Sequence, residues 1–188
     1  PILAELNKST PSRDIIIDEF DVLTDFLRAG YPTNSIIEDL FNVFTKLINF
    51  SQWHIQQDTL SCTKYIFENS TLTKEQKKEA LLKHTDFTKH LAVLLSDPKR
   101  EVREMSSQCI GHLALHLGPS ILDKEFEIRP ALFEPNKTAF SLEGQQMALG
   151  RLTTSFRIVS PESLKTILPY MVGCEQFSTI TNPSDNGY

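Results

Sequence analysis

Residues 91–118 read LAVLLSDPKREVREMSSQCIGHLALHLG. An apolar run stops at Ser96-Asp97-Pro98, and a second apolar pattern with helical spacing starts at once. Such a unit folds as two helices around a tight polar turn. The same pattern occurs forty-seven residues earlier: Leu47 falls on Leu94, Ile48 on Leu95, Ile55 on Val102, Cys62 on Cys109 and Ile66 on Leu113. The turn Asn49-Phe50-Ser51 falls on Ser96-Asp97-Pro98. A repeated helical hairpin constrains a chain strongly. One hairpin cannot bury its apolar face alone, so neighbours must stack into an extended array. The fold expected is all-α, an α-solenoid of antiparallel hairpins forming a single array over residues 1–188.

The rest of the chain reads in the same terms. Ile16, Phe20, Leu23 and Leu27 mark one face of a first helix, preceded by Pro11-Ser12 and ended by Gly30 and Pro32. A second helix over about 34–49 has a wide apolar face. A third, over about 52–68, takes Ser51 as its cap. Thr73 and Gln76 have capping-box spacing for a fourth helical region that runs to about Leu95, with a break near His84. Pro98 suits the first turn of the fifth helix, which Gly118-Pro119 stops. Residues 119–140 read as an irregular connection, with one or two short helices broken by Pro130 and Pro135. A sixth helix covers about 142–157, Ser160 and Pro161 open a seventh, and the tail 181–188 is expected to fray. The chain opens on Pro1 without a targeting segment, which fits a piece of a longer protein.

Composition narrows the function classes. A net charge of −5 argues against a nucleic-acid partner, because that binding rests on Lys and Arg neutralising phosphates. The basic clusters Lys74/Lys77/Lys78 and Lys99/Arg100/Arg103 are interleaved with Glu and read as solvated helix faces. Cys62, Cys109 and Cys174 fit no CxxC or zinc spacing and read as reduced thiols, which places the chain in the cytoplasm or the nucleus. The Asn-X-Ser/Thr triplets at Asn7, Asn49, Asn69 and Asn136 then read as chance. No segment is long and apolar enough to suggest membrane insertion.

The opening stretch resembles the HEAT repeat. The positions that carry the likeness are Leu94/Leu95, Asp97, Val102-Arg103, Ser106, Ile110 and Leu113. The resemblance implies that Asp97 and Arg103 belong to a polar ladder, a turn carboxylate pairing with a guanidinium. Phe50 and Gln56 replace that pair in the earlier hairpin, so the ladder should be incomplete there. More narrowly, residues 34–158 resemble an internal section of the large proteasome adaptor and scaffold family. HTDFTKHLAVLLSDPKREVREMSSQCIGHL carries this likeness, with a second block, LEGQQMALGRLTTSFR, that holds Gly144, Gly150 and Arg157. Glu143 departs from the pattern, which has His there, and Gln145 and Gln146 are more polar than it. The resemblance implies a non-enzymatic scaffold that joins the 26S proteasome to other cellular structures. Its partners would be proteasome subunits and neighbouring HEAT repeats of the parent chain. A nuclear-transport receptor or another HEAT scaffold is the alternative among binding proteins, and a helical enzyme the alternative from another class.

Chemistry-bearing residues are few. His112 and His116 stand at i, i+4, a spacing that can hold a metal, but no third ligand follows and a solvated helix end is the plainer reading. Cys109 lies on the apolar stripe, where a thiol is a core residue rather than a nucleophile. No catalytic residue, metal or cofactor is expected. Gly144 and Gly150 fall inside a helix at a cost of about 1 kcal/mol each relative to Ala; close helix approach is the reason expected, and a kink or a partner lying against the helix is the alternative. The candidate interaction surface is the exposed face of each second helix: Gln57, Ser61, Lys64 and Tyr65 in the third, and Arg100, Glu104, Gln108 and His112 in the fifth.

Overall fold

The computed structural model describes residues 13–50, 52–134 and 138–168, with side chains from Asp18 onward. Pro11-Ser12, the side chain of Ile16, the Ser51 cap, Pro135, Asn7, Asn136, Cys174 and the tail 181–188 lie outside that description. The fold is all-α, and no strand occurs among the described residues.

Helix α1 (Arg13–Arg28) buries Phe20, Leu23 and Leu27 at the spacing its sequence predicts. Gly30, at φ +81, reverses the chain after it; a left-handed turn of this kind costs glycine least. Helix α2 (Ile37–Leu47) buries Leu40, Phe41, Phe44 and Leu47 along one stripe, and Glu38 and Asp39 in its first turn complement the helix dipole. A short turn leads to α3 (Trp53–Glu68). Thr73 accepts the backbone N–H of Gln76, whose side chain accepts that of Thr73, and this capping box starts α4 (Lys74–Leu82). The chain breaks at Lys83-His84, as expected, and α5 (Thr85–Leu94) follows. Helix α6 (Arg100–Leu117) begins two residues beyond Pro98, which therefore lies in the turn and not in the helix. Asp97 explains the shift: its carboxylate accepts the Lys99 N–H at 2.7 Å and holds the turn open.

The described part of the connection, residues 119–134 and 138–140, holds short helical pieces as expected, but they are ordered and packed rather than irregular. Two 3-10 turns, Gly118–Leu122 and Lys124–Phe126, lead into α7 (Ile128–Phe133). Pro130 sits in the first turn of α7, where a missing N–H costs nothing, so it does not break the helix. Ile121, Phe126, Ile128 and Leu132 are fully buried, which makes this segment part of the core. Helix α8 (Ala139–Val159) starts three residues earlier than the reading at about 142, because Thr138 caps it by accepting the Ser141 N–H at 3.1 Å. Pro161–Ser163 forms a 3-10 turn, with helical residues over 164–168.

The helices contact one another in a regular order. Helices α2 and α3, α5 and α6, and α7 and α8 pack as hairpin pairs. Helix α1 touches α3, α3 touches α6 and α6 touches α8; on the other side α2 touches α5 and α5 touches α7. Helix α4 bridges α2 and α6. Phe41 sits at the centre of one junction, with its ring 5.8 Å from Phe67 and 5.4 Å from Phe87. Each such fully buried ring contributes about 1.5–3 kcal/mol over its exposed state.

The burial register repeats. Moved forty-seven positions, each of the seven buried residues of α3 falls on a buried residue of α6. Moved back forty-two, each of the seven buried residues of α8 also falls on a buried residue of α6. Gln56, Arg103 and Gln145 share one register position, and each donates to a carbonyl at the end of the preceding helix or turn. Gln56 Nε2 reaches Ile48 at 3.2 Å, and Arg103 Nη1 reaches Asp97 at 2.7 Å and Pro98 at 3.0 Å. Gln145 Nε2 donates to Leu132. These bonds satisfy carbonyls that a helix end leaves without partners.

The ladder expected from Asp97 and Arg103 is therefore built differently. Arg103 is 3% exposed and binds the backbone carbonyl of Asp97, not its carboxylate. The carboxylate partner is Glu143 on α8, which also lies 3.4 Å from Arg100. In the earlier hairpin Gln56 keeps one hydrogen bond to the turn and carries no charge.

Candidate protein-interaction surface

Helices α3, α6 and α8 share more than their buried register. Their outward ridges align too. Gln57, Glu104 and Gln146 occupy one register position, Ser61, Gln108 and Gly150 the next, and Tyr65, His112 and Thr154 the third. These positions are four residues apart, so in each helix they form a single row along the outer face.

Two clefts run between the rows. One, of about 260 Å³, lies between α3 and α6 and is closed on its far side by α8. Leu60, Met105 and Leu115 give it an apolar floor, and Lys64, Gln108, His112 and Arg151 its polar rim. The other, of about 350 Å³, lies between α6 and α8 and is bordered by Arg100, Glu104, Met147 and Gly150. Arg151 and Thr154 line both clefts, so the two adjoin at these residues.

Lys64, Gln108 and His112 are thus brought together at one cleft, and Arg100 and Glu104 at the other. Gln57 and Tyr65 line neither. Tyr65 is half-buried against the core, with the Lys64 ammonium 4.6 Å from its ring centre. Glu104 accepts Gln108 Nε2 at 3.3 Å and stands 3.9 Å from Arg151. Sequence reasoning missed Arg151, Thr154, Met105 and the role of Gly150. The signal for the α8 residues is the forty-two-residue register, which a search at forty-seven does not find.

Gly144 and Gly150 separate cleanly. A Cβ at Gly144 would lie 1.9 Å from the Leu95 carbonyl oxygen, so α8 approaches the end of α5 too closely for any side chain. A Cβ at Gly150 would meet nothing within 4 Å among the described residues, none of which makes the close approach expected there. Gly111 is a close-approach glycine the sequence did not suggest: a Cβ there would stand 2.7 Å from Arg151 Cβ.

The histidines of α6 are not a solvated helix end. His116 lies against the Phe67 ring, 5.6 Å between centres, with Lys77 Nζ 3.4 Å from its Nδ1. Its Nε2 is 3.2 Å from His112 Nε2, and Glu68 stands 3.8 Å beyond on α3. An ammonium can only donate, so His116 Nδ1 accepts and its proton sits on Nε2, facing His112. Burial, then the Lys77 ammonium, then His112 push the His116 pKa down to about 4; burial lowers His112 as well. A metal-holding His donates its second ring N–H to a carbonyl or carboxylate, and here that position faces a cation. No group of three or more His, Cys, Asp or Glu is placed to hold a metal among the described residues. The Cys109 thiol is pushed up to about 12 by burial, which removes the thiolate that nucleophilic chemistry needs.

No helix among the described residues is long and apolar enough to cross a membrane. Comparison with protein-family models, with curated proteins and with solved structures finds no match.

Proposed function

We propose that this chain is a section of a HEAT-type α-solenoid that acts as a non-enzymatic protein-interaction scaffold, within an adaptor of the 26S proteasome. One observation carries the solenoid reading: the shared burial register of α3, α6 and α8 across spacings of forty-seven and forty-two residues. Stacked repeats present equivalent residues in rows, and such rows are the surfaces these architectures use for binding. The outer rows of α3, α6 and α8, with the two clefts between them, are the working surface in this reading. The sequence likeness over residues 34–158 supplies the proteasome as partner, and a cytoplasmic or nuclear setting goes with it.

Co-sedimentation of the purified chain with purified 26S proteasomes tests the reading, with the full-length parent as positive control. Retention of both supports the adaptor. Failure of both, together with binding of the small GTPase Ran or of import cargo, favours a transport receptor.

A further inference from the structure

We propose that the adjoining clefts between α3, α6 and α8 hold an extended acidic segment of a partner protein, which seats one apolar side chain over Leu60 and Met105 and passes across α8 at Gly150. This assignment deepens the scaffold reading and rests on it.

Three observations converge. The first is size and lining. The α3–α6 cleft, at about 260 Å³, falls below the roughly 300–1,000 Å³ of sites that enclose a whole small molecule. It suits a single large side chain, and its floor is apolar.

The second is charge. Lys64 and Arg151 both line that cleft, and none of its lining residues is a carboxylate. Lys64 has no carboxylate at ion-pair distance among the described residues, and the ionic approach Arg151 makes is the 3.9 Å one to Glu104. Two cations beside an apolar floor complement a segment with carboxylates flanking an apolar anchor. The chain as a whole carries −5, so this attraction is local to the cleft and does not come from a general field.

The third is Gly150. Glycine inside a helix is less favourable than Ala by about 1 kcal/mol. Among the described residues no atom of another element lies within 4 Å of the missing Cβ, so their packing does not require it. It occupies the middle of the outer row, at the register where α3 has Ser61 and α6 has Gln108. A partner backbone that crosses α8 closely is what a bare position at that point accommodates.

The test is a phage-displayed library of random 12-residue peptides panned on the whole chain, followed by fluorescence polarisation of the best binder. The expected consensus has two or more Asp or Glu around a Leu, Ile, Phe or Met. Arg151→Glu and Gly150→Leu each weaken that peptide at least tenfold, with the circular dichroism spectrum unchanged. Gly150→Ala raises the melting temperature while weakening the peptide. The assignment is overturned by any of four results: no enriched peptide, a consensus without acidic residues, affinity unchanged by both variants, or self-association of the chain through this face. Loss of the peptide site with proteasome co-sedimentation intact removes this assignment and spares the scaffold. Peptide binding without co-sedimentation removes the adaptor reading alone.

Discussion

The Arg103 guanidinium on α6 donates to the Glu143 carboxylate on α8, while its other terminal nitrogen holds the carbonyls of Asp97 and Pro98. One buried side chain therefore ties a hairpin turn to the next hairpin. The Phe140 ring lies 5.0 Å from the same guanidinium. Removing one partner of such a pair leaves the other charge uncompensated, whereas replacing both with apolar groups is far milder. Glu143→Gln is expected to destabilise the chain by about 3 kcal/mol in urea unfolding. The double variant Arg103→Met/Glu143→Leu recovers at least half of that loss. Equal losses in the single and double variants would mean the pair does not link the hairpins.

Acid should loosen the junction of α3, α4 and α6. The folded-state pKa of His116 is about 4, below its ordinary value of 6.5, so the unfolded chain takes up the proton first. The contribution is therefore complete above pH 6.5 and is lost as pH falls towards 4. The full difference corresponds to about 3 kcal/mol, which the partial exposure of the ring reduces to about 2. His116→Gln should flatten the stability curve between pH 6.5 and 4.5 when subtracted from wild type. A difference curve with no slope in that window would contradict the Lys77–His116–His112 arrangement.

Three glycines give an ordered series. Gly144→Ala drives a Cβ into the backbone of Leu95, and backbone cannot swing aside, so a loss at or above the upper end of the usual 1–3 kcal/mol for overpacking is expected. Gly111→Ala meets Arg151 Cβ at 2.7 Å, an atom that moves only with its backbone, so it should also cost about 1–3 kcal/mol, less than Gly144→Ala because the approach is less close. Gly150→Ala should stabilise by up to about 1 kcal/mol. Thermal melts of the three variants read the order directly, and a destabilised Gly150→Ala would show an internal contact at that site.

The capping box of α4 offers a local check. Thr73→Ala removes the acceptor for the Gln76 N–H, while the backbone N–H of residue 73 still donates to Gln76 Oε1. The expected cost is about 1 kcal/mol. Amide exchange should quicken first in the opening turn of α4, and unchanged protection there would mean that the cap does not hold the helix.

How much of this was legible follows from which residues carried the pattern. The forty-seven-residue match held because Leu, Ile, Val and Cys fill the inward positions in both hairpins, and all ten matched residues are buried. Helix α8 escaped the same scan for two reasons. Its connection is shorter, and Gly144, Gln145 and Ser155 stand at inward positions where apolar residues give the signal. Gln145 is buried because it bonds the Leu132 carbonyl, and Ser155 because it bonds the Gly111 carbonyl at 2.6 Å. Polar residues satisfied in this way look exposed in sequence. Asp97 misled for a different reason: the HEAT resemblance implies that it pairs with Arg103, yet its carboxylate bonds its own turn. The partner of Arg103 lies forty residues away, beyond any local pattern.

The central claim is that the outer rows of α3, α6 and α8 are the working face of a scaffold. A photo-reactive phenylalanine analogue placed at Gln108, and in a second variant at the exposed Val93 on α5, puts that claim to a direct test with purified 26S proteasomes. The account expects cross-links to proteasome subunits from position 108 and none from position 93. Cross-links from position 93 alone, or from neither position, would contradict it.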